Sequence, residues 1–225
     1  MEVLYEDNHI IVVNKASGEI VQGDKTGDKP LSEIVKEYLK ERYNKPGNVF
    51  CGVVHRLDRP TSGVVMFAKT SKALSRLNDM FRNDEVEKKY WAIVKDCPNP
   101  MQGELVHWLK KNEKNNKSVA YDKEVRESKK AILRYRLLGR SDNYYLLEVE
   151  LESGRHHQIR SQLSKIGCPI KGDLKYGATR SNPDGSISLH ARYISFVHPV
   201  SKKVIEETAP VPNDNLWKMF ESMTN

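Results

Sequence analysis

One carboxylate flanked by two arginines is the part of this sequence with the clearest chemical potential. Asp58 lies in the nine-residue string HRLDRPTSG, with Arg56 and Arg59 close on either side. Guanidinium groups within a few ångströms favour the ionised form of a carboxyl group, and an ionised aspartate can act as a nucleophile or as a base. The same arrangement also occurs in structural turns and in exposed ion pairs, which contribute little to stability. The string alone therefore predicts either a catalytic carboxylate or a turn residue with surface ion pairs.

Two apolar segments, residues 49–54 and 64–68, enclose this string and predict a strand on each side of it. Pro60 has no backbone N–H to contribute to a sheet, and Ser62-Gly63 is a typical turn sequence. We therefore expect a strand, a tight polar loop and a second strand, with Asp58 held on the loop.

Three motifs of this chain resemble those of the RluA family of RNA pseudouridine synthases. Residues 55–63 resemble the family's signature loop without a mismatch, and residues 88–94 fit K-x-Y-x-A-x-V. Residues 154–160 are similar to G-R-x-H-Q-I-R, which is followed at 167–177 by G-x-P-I-x-G-D-x-x-Y-G. The resemblance covers about residues 1–205, with the motifs in the family's order.

The chain departs from the family pattern at two positions. Ala16 stands where the family usually has a proline, and Gln162 stands where it often has a histidine. The departure at position 16 is expected to affect the stiffness of the loop and not the chemistry.

The resemblance implies three catalytic residues. Asp58 would act on the ribose, Arg160 would be its salt-bridge partner, and Tyr90 would contact the target base. A tyrosine on a strand is more often a packing residue, so the role of Tyr90 depends on its motif. Further residues are expected to bind substrate, with Arg56 filling the space that the target base leaves. This set is His55, Arg56, Arg59, Thr61, Arg155, His156, Gln158 and Leu189.

The implied reaction converts uridine in RNA to pseudouridine. It breaks the N-glycosidic bond, turns the base over and joins C5 to C1′, without a redox step or an external energy source, so no cofactor is expected. A uridine inside a helix is out of reach and has to be flipped out of the stack. The expected partner is RNA, either ribosomal or transfer RNA.

Two other functions are compatible with parts of the sequence. The first is a catalytically silent RNA-binding protein with the same fold, which the presence of Asp58, Tyr90 and Arg160 disfavours. The second is a hydrolytic glycosidase, which normally places two carboxylates around the bond that it cleaves. The signature loop offers one carboxylate, so this function is also disfavoured.

The composition is that of a globular protein without a membrane segment. Of the 225 residues, 38% are hydrophobic and 30% are charged, and no apolar run approaches the roughly 18 residues of a membrane span. The N-terminal residues lack the features of a secretory signal. Three widely spaced cysteines predict no disulfide framework. These features favour a cytoplasmic protein, and we expect a monomer.

One basic stretch accounts for the whole charge excess of +7. Residues 108–140 contain eleven lysines and arginines against four acidic residues. Residues 110–130 include few apolar side chains and predict an exposed loop or hairpin. Its lysines could neutralise RNA phosphates or could serve solubility alone.

The sequence predicts no metal site. His and Cys residues are present, but their spacing fits no paired zinc pattern, and His156 and His157 would point in different directions if both lay on a helix. Because the catalytic pattern begins within the first fifteen residues, we also expect no RNA-binding domain of the S4 type ahead of it.

The expected fold is a single α/β (α+β) catalytic domain over residues 1–225, with a mostly antiparallel mixed sheet, flanking helices and long loops. The mixed sheet is implied by the family, whereas the missing β-α-β alternation follows from the sequence. Hydrophobic periodicity predicts strands at 3–5, 9–15, 88–94, 103–109, 131–138, 143–151, 188–196 and 203–208. Helices are predicted at 31–43, from Ser71 as the N-cap to about 81, from about 155 to 166, and near 216–220.

Overall fold

The computed structural model describes residues 1–224. They divide into two compact units, the first made of residues 1–87 and 191–210 and the second of residues 88–190 with the C-terminal segment from 211. The strands in chain order are β1 (Glu2–Glu6), β2 (Ile10–Lys15), β3 (Gly52–Val53), β4 (Ser62–Ala68), β5 (Glu87–Val94), β6 (Gln102–Asn112), β7 (Lys117–Tyr121), β8 (Lys129–Arg140), β9 (Tyr145–Leu151), β10 (Leu189–Val197) and β11 (Val204–Thr208). The helices are α1 (Leu31–Arg42), α2 (Ser71–Arg82), α3 (Gln158–Lys165) and α4 (Asn215–Thr224).

The first unit is built on β2, which pairs antiparallel with β1 on one side and with β4 on the other. Strand β10 neighbours β4, and β11 pairs antiparallel with β10. Both β2 and β4 are buried almost throughout, so each reads as a continuous apolar run. Met66 of β4 and Leu77 of α2 belong to the core of this unit.

The second unit is an antiparallel sheet in the order β5, β9, β8, β6, β7. Alternation along β5 divides its side chains between two cores, because successive residues of a strand point to opposite faces. Ala92 and Val94 share a core with residues of α3. Trp91 and Ile93 share the other core with Trp217 and Phe220 of α4.

The predicted fold class is therefore confirmed, with a mostly antiparallel sheet and few helices. The basic stretch forms a hairpin, since β6 and β7 continue the strand predicted at 103–109 into residues 110–121. No helix within residues 1–224 is long and apolar enough to cross a membrane.

Three local predictions were wrong in extent. Ser62 and Gly63 belong to the buried strand β4, because the β2–β4 ladder continues as far as the pair Lys15 and Gly63. Of the apolar residues 49–54, only Gly52 and Val53 form a strand. Helix α2 is capped by Thr70 and not by Ser71, since the Thr70 hydroxyl accepts a hydrogen bond of 3.1 Å from the backbone N–H of Ala73.

Gly63 is fixed by backbone conformation and by space. Its φ is +115°, a value that side chains rarely permit. A Cβ at this position would lie 2.3 Å from the carbonyl oxygen of Ala191 in β10. The end of the signature loop can therefore lie against β10 only because residue 63 has no side chain.

We predict that Gly63→Ala lowers the free energy of unfolding by about 3 kcal/mol or more, because the methyl group meets backbone atoms that cannot rotate away. The matched control is Gly18→Ala, with a similar φ of +89° but open space where its methyl group would lie. It should cost only about 1 kcal/mol. Urea denaturation of both variants measures the difference, and equal losses would contradict the steric explanation.

Candidate active site

The signature loop closes with a turn that begins at Asp58. The backbone N–H of Thr61 donates to the carbonyl oxygen of Asp58 over 3.0 Å. Leu57, just before the aspartate, is buried, while Asp58 itself is partly exposed. Asp58 therefore lies on a loop, as predicted.

Lys15 anchors this loop through hydrogen bonds to backbone carbonyl oxygens. The sequence analysis did not identify it as a site residue. Its Nζ atom donates to the carbonyl oxygens of Ala16 (3.0 Å), Arg59 (3.1 Å) and Thr61 (2.6 Å). The side chain is only 1% exposed. A lysine at the end of the apolar run IIVVNK was the available signal, since a buried cation requires several acceptors.

Burial lowers the pKa of Lys15 from 10.5 to about 8, while the nearby carboxylates of Glu19 and Asp58 act in the opposite direction. A lysine that keeps its proton can donate three hydrogen bonds, and Lys15 has three acceptors within reach. Its charge and the geometry of the Asp58 loop are therefore linked.

Arg59 pairs with a second loop. Its guanidinium donates to Asp28 and to the Thr26 hydroxyl, both over 2.7 Å, and lies 3.6 Å from Asp24. The hydrogen bond from Arg59 lowers the pKa of Asp28. Arg59 therefore links the signature loop to the polar loop at residues 23–30, and its effect on the Asp58 carboxylate stays a prediction. Arg56, in contrast, is exposed.

His55 and Thr61 occupy different environments in the same loop. The His55 ring stacks on Phe81 at 4.8 Å, and its Nε2 atom accepts the backbone N–H of Met66 over 3.0 Å. Thr61 is buried, and its hydroxyl has no hydrogen-bond partner among the described residues. His55 thus holds the loop to β4, and the role of Thr61 in substrate binding stays a prediction.

Arg160, in the second unit, forms a buried two-pronged ion pair. Its Nε donates to one carboxylate oxygen of Asp173 over 2.7 Å, and a terminal nitrogen donates to the other over 2.9 Å. The Asp173 carboxylate therefore orients the Arg160 guanidinium. The pairing of Arg160 with Asp58 stays a prediction.

Tyr176 connects Arg160 to the basic hairpin. The Arg160 guanidinium lies 5.0 Å above the Tyr176 ring. The Tyr176 hydroxyl accepts the backbone N–H of Ser118 in β7 over 2.8 Å and lies 2.8 Å from Nδ1 of His157. A buried chain of polar contacts therefore runs from strand β7 to the predicted catalytic arginine.

His156 and His157 stack with their ring centres 3.8 Å apart. The expectation that they point in different directions was wrong, because His157 has a left-handed backbone (φ 52°) and precedes α3 instead of lying within it. Ser118 contacts His156 through its hydroxyl, which lies 2.9 Å from Nδ1 and donates to the carbonyl oxygen. Among residues 1–224, no group of three or more His, Cys, Asp or Glu side chains could hold a metal ion.

The remaining predicted residues also lie in the second unit. Gln158 is buried, accepts from Ser153 and from the backbone of Arg155, and donates to the carbonyl oxygen of Ile132. These contacts make it a support for the segment that carries Arg155. Leu189 is buried in the core beside α3, and Tyr90 is packed against the same core from β5.

Gln162 stands where the family often has a histidine, and its side chain makes several contacts between elements. Its amide nitrogen lies 3.0 Å from Nδ1 of His107 and donates to the carbonyl oxygens of Leu105 and Ala131. The side chain is fully buried. Gln162 therefore ties α3 to β6 and β8, and its neighbour His107 has its pKa lowered by burial.

The RNA pseudouridylate synthase family model matches residues 9–165 of this sequence. The chain belongs to this family. Its members are isomerases that convert uridine to pseudouridine in RNA, and the RluA-type motifs on the signature loop, β5 and α3 agree with the assignment.

Individual relatives cover almost the whole chain. Ribosomal large subunit pseudouridine synthase D of Zymomonas mobilis is 32% identical over 98% of this chain and 73% of its own length. tRNA pseudouridine synthase C of Vibrio cholerae is 30% identical over 97% of this chain and 93% of its own. The solved structure of human RNA pseudouridylate synthase domain containing 4 superposes with a TM-score of 0.79 at 23% identity, covering 99% of this chain and 92% of that one. This last likeness shows that the fold is shared.

We predict that Lys15→Met destabilises the protein by about 2 kcal/mol at pH 7, because it removes the hydrogen bonds from Lys15 to three carbonyl oxygens, among them the buried one of Thr61. Lys25→Met, in an exposed loop, is the matched control and should be neutral. Since the pKa of Lys15 is lower in the folded state, the unfolded chain binds more protons between pH 8 and about 10.5. The stability advantage of the wild type over Lys15→Met should therefore grow as pH rises through that window. Urea denaturation at several pH values tests this, and a constant difference would contradict it.

Proposed function

We propose that this chain isomerises specific uridines in structured RNA, with Asp58 as the group that acts on the ribose. The observation that carries the proposal is the position of Asp58 at the turn of the family's signature loop, whose flanking carbonyl groups are held by Lys15. A carboxylate acting on C1′ or on a sugar proton has to be placed accurately. A loop held by a buried cation, a buried leucine and a stacked histidine meets that requirement.

The chemistry assigns separate tasks to the three predicted catalytic residues. An ionised Asp58 either attacks the sugar or removes a sugar proton, and both routes need the carboxylate next to the ribose. Arg160 balances the charge of that carboxylate, with Asp173 fixing the plane of the guanidinium. Tyr90 covers the detached base or carries its C5 proton. Residues 1–225 would work as one catalytic domain, because the family's motifs are distributed over both compact units.

The relatives and the charge support the proposed substrate class. One relative is named for ribosomal RNA and another for transfer RNA, so RNA of these kinds is the proposed partner. The outer binding roles fall to exposed Arg56 and Arg155 and to half-buried His156. The three cysteines are free, which supports the proposed cytoplasmic location. The proposal further includes a monomer that needs no cofactor.

We predict that Asp58→Asn lowers the rate of pseudouridine formation by at least about a thousandfold, because the amide can neither attack nor accept a proton efficiently. RNA affinity should stay within about twofold, since the shape of the loop is kept. The matched control is Asp142→Asn, at an exposed turn. Pseudouridine mapping of cellular RNA, from cells lacking the gene and complemented with each variant, gives the target and the effect together.

Three results would overturn this assignment. Full activity in Asp58→Asn would remove the catalytic aspartate from the mechanism. RNA binding without pseudouridine formation by the wild type on any cellular RNA would favour the silent RNA-binding protein. Release of free uracil, instead of an isomer of unchanged mass, would favour a glycosidase.

The hairpin lysines provide a second test. Lys110 pairs with Glu127 and Lys111 with Glu113, while Lys117 lies above Tyr176 and Lys114 is exposed at the tip. We predict that replacing all four by glutamine weakens RNA binding and reduces the slope of log affinity against log salt by about one per lost phosphate contact.

The control for the lysine test removes the same total charge elsewhere. Glutamine replaces Lys25, Lys36, Lys40 and Lys45, all in residues 25–45 of the first unit. If the two quadruple variants show the same slope, net charge alone explains the effect and the hairpin has no special role.

A further inference from the structure

The hairpin presents a second face that the basic residues alone did not reveal. Along β6, His107 and Leu109 are buried, so Trp108 between them and Lys110 after them point to the opposite face. In the strand register, Trp108 lies opposite Tyr121 of β7 on one side and opposite Lys130 of β8 on the other. One row across three strands therefore reads tyrosine, tryptophan, lysine.

This row is accessible. Tyr121 is 37% exposed and Trp108 is partly exposed, and beside them Val119, opposite Lys110, is 40% exposed. The other two tryptophans, Trp91 and Trp217, are buried in the core beside α4. Trp108 is therefore the one of the three tryptophans that is partly exposed, and it lies next to a second aromatic side chain.

Cationic groups surround the two rings. Lys130 is exposed at the end of the row, and Lys110 lies two residues after Trp108 on the same face of β6. Exposed Arg155 is attached at the same place, because its Nε donates to the carbonyl oxygen of Lys130 over 3.1 Å. One acid, Glu127, pairs with Lys110 over 3.1 Å. The face thus combines exposed ring surface with an excess of positive charge.

We propose that Trp108 and Tyr121 form a stacking platform for unpaired nucleotides of the RNA substrate, with Lys110, Lys130 and Arg155 holding the adjacent phosphates. This inference deepens the proposed function and rests on RNA being the substrate. Single-stranded nucleic acid presents flat bases and phosphates in alternation, which matches rings bordered by cations. Duplex RNA keeps its base faces stacked inside, and an apolar protein partner would leave the lysines without counter-charges.

Intrinsic fluorescence tests the platform directly. A single-stranded oligouridylate of about ten nucleotides, a length within the usual site size of such surfaces, should quench the emission of the wild-type protein, because a base stacked on an indole quenches it. A blunt duplex of the same length should quench far less. Trp108→Leu should abolish the quenching, while the buried Trp91 and Trp217 keep their emission.

Affinity provides the second readout. Trp108→Leu and Tyr121→Leu should each weaken oligouridylate binding by about tenfold, the usual effect of losing one stacked base. The salt slope should stay unchanged, since stacking releases no counterions. Trp108→Phe, which keeps an aromatic ring, should retain most of the affinity. Tyr43→Leu, an exposed tyrosine of the first unit, is the matched control and should bind like the wild type.

Several outcomes would overturn the platform. Unquenched emission, quenching that survives in Trp108→Leu, or unchanged affinity in Trp108→Leu and Tyr121→Leu would each do so. So would a wild-type dimer in sedimentation that Trp108→Leu converts to a monomer, because a second copy would then cover the face. The variants Trp108→Phe and Tyr121→Leu keep the test available if Trp108→Leu fails to fold.

The stacking platform and the isomerase activity can be refuted independently of each other. Quenching by oligouridylate with no pseudouridine formed by the wild type would support the platform and remove the isomerase. Normal pseudouridine formation with no ring-dependent binding would support the isomerase and remove the platform.

Discussion

A buried ammonium group holding three carbonyl oxygens is the contact on which the arrangement of the signature loop depends. Lys15 ends strand β2, and its acceptors lie at the start of the next segment and on either side of Pro60. The loop is polar and contains the conformationally restricted Pro60. Lys15 fixes it in this way although the loop has no regular β-sheet hydrogen bonds of its own. The lowered pKa of Lys15 shows that burying this charge is unfavourable, and the chain keeps it where three acceptors are needed together.

Arg160, in contrast, is held by other side chains. Its guanidinium is gripped in one plane by Asp173 and covered by the ring of Tyr176. The Tyr176 hydroxyl continues the contacts to Ser118, so the orientation of a predicted catalytic side chain and the position of strand β7 share one polar network. Networks of this kind are stable only when each member is satisfied, which explains why residues far apart in sequence are brought together here.

Much of the fold could be predicted from the sequence, because its strands and helices have strong periodic patterns. The long apolar runs of β2 and β4, and the spacing of Leu77 in α2, were sufficient for that. Contacts between distant residues could not be predicted in the same way. Neither the acceptors of Lys15 nor the pairing of Arg160 with Asp173 leaves a local pattern, and the left-handed backbone of His157 contradicts the helical spacing that suggested an earlier start for α3.

The hydrogen bond between the backbone N–H of Ser118 and the Tyr176 hydroxyl has a consequence for solubility. Strand β7 ends the strand order of the second unit, and an open border of this kind can recruit a strand from another molecule. Tyr176 occupies one of the donors that such a strand would use, and Lys117 places a cation beside it. Tyr176, which covers Arg160, and its neighbour Lys117 thus also disfavour self-association along this edge of the sheet.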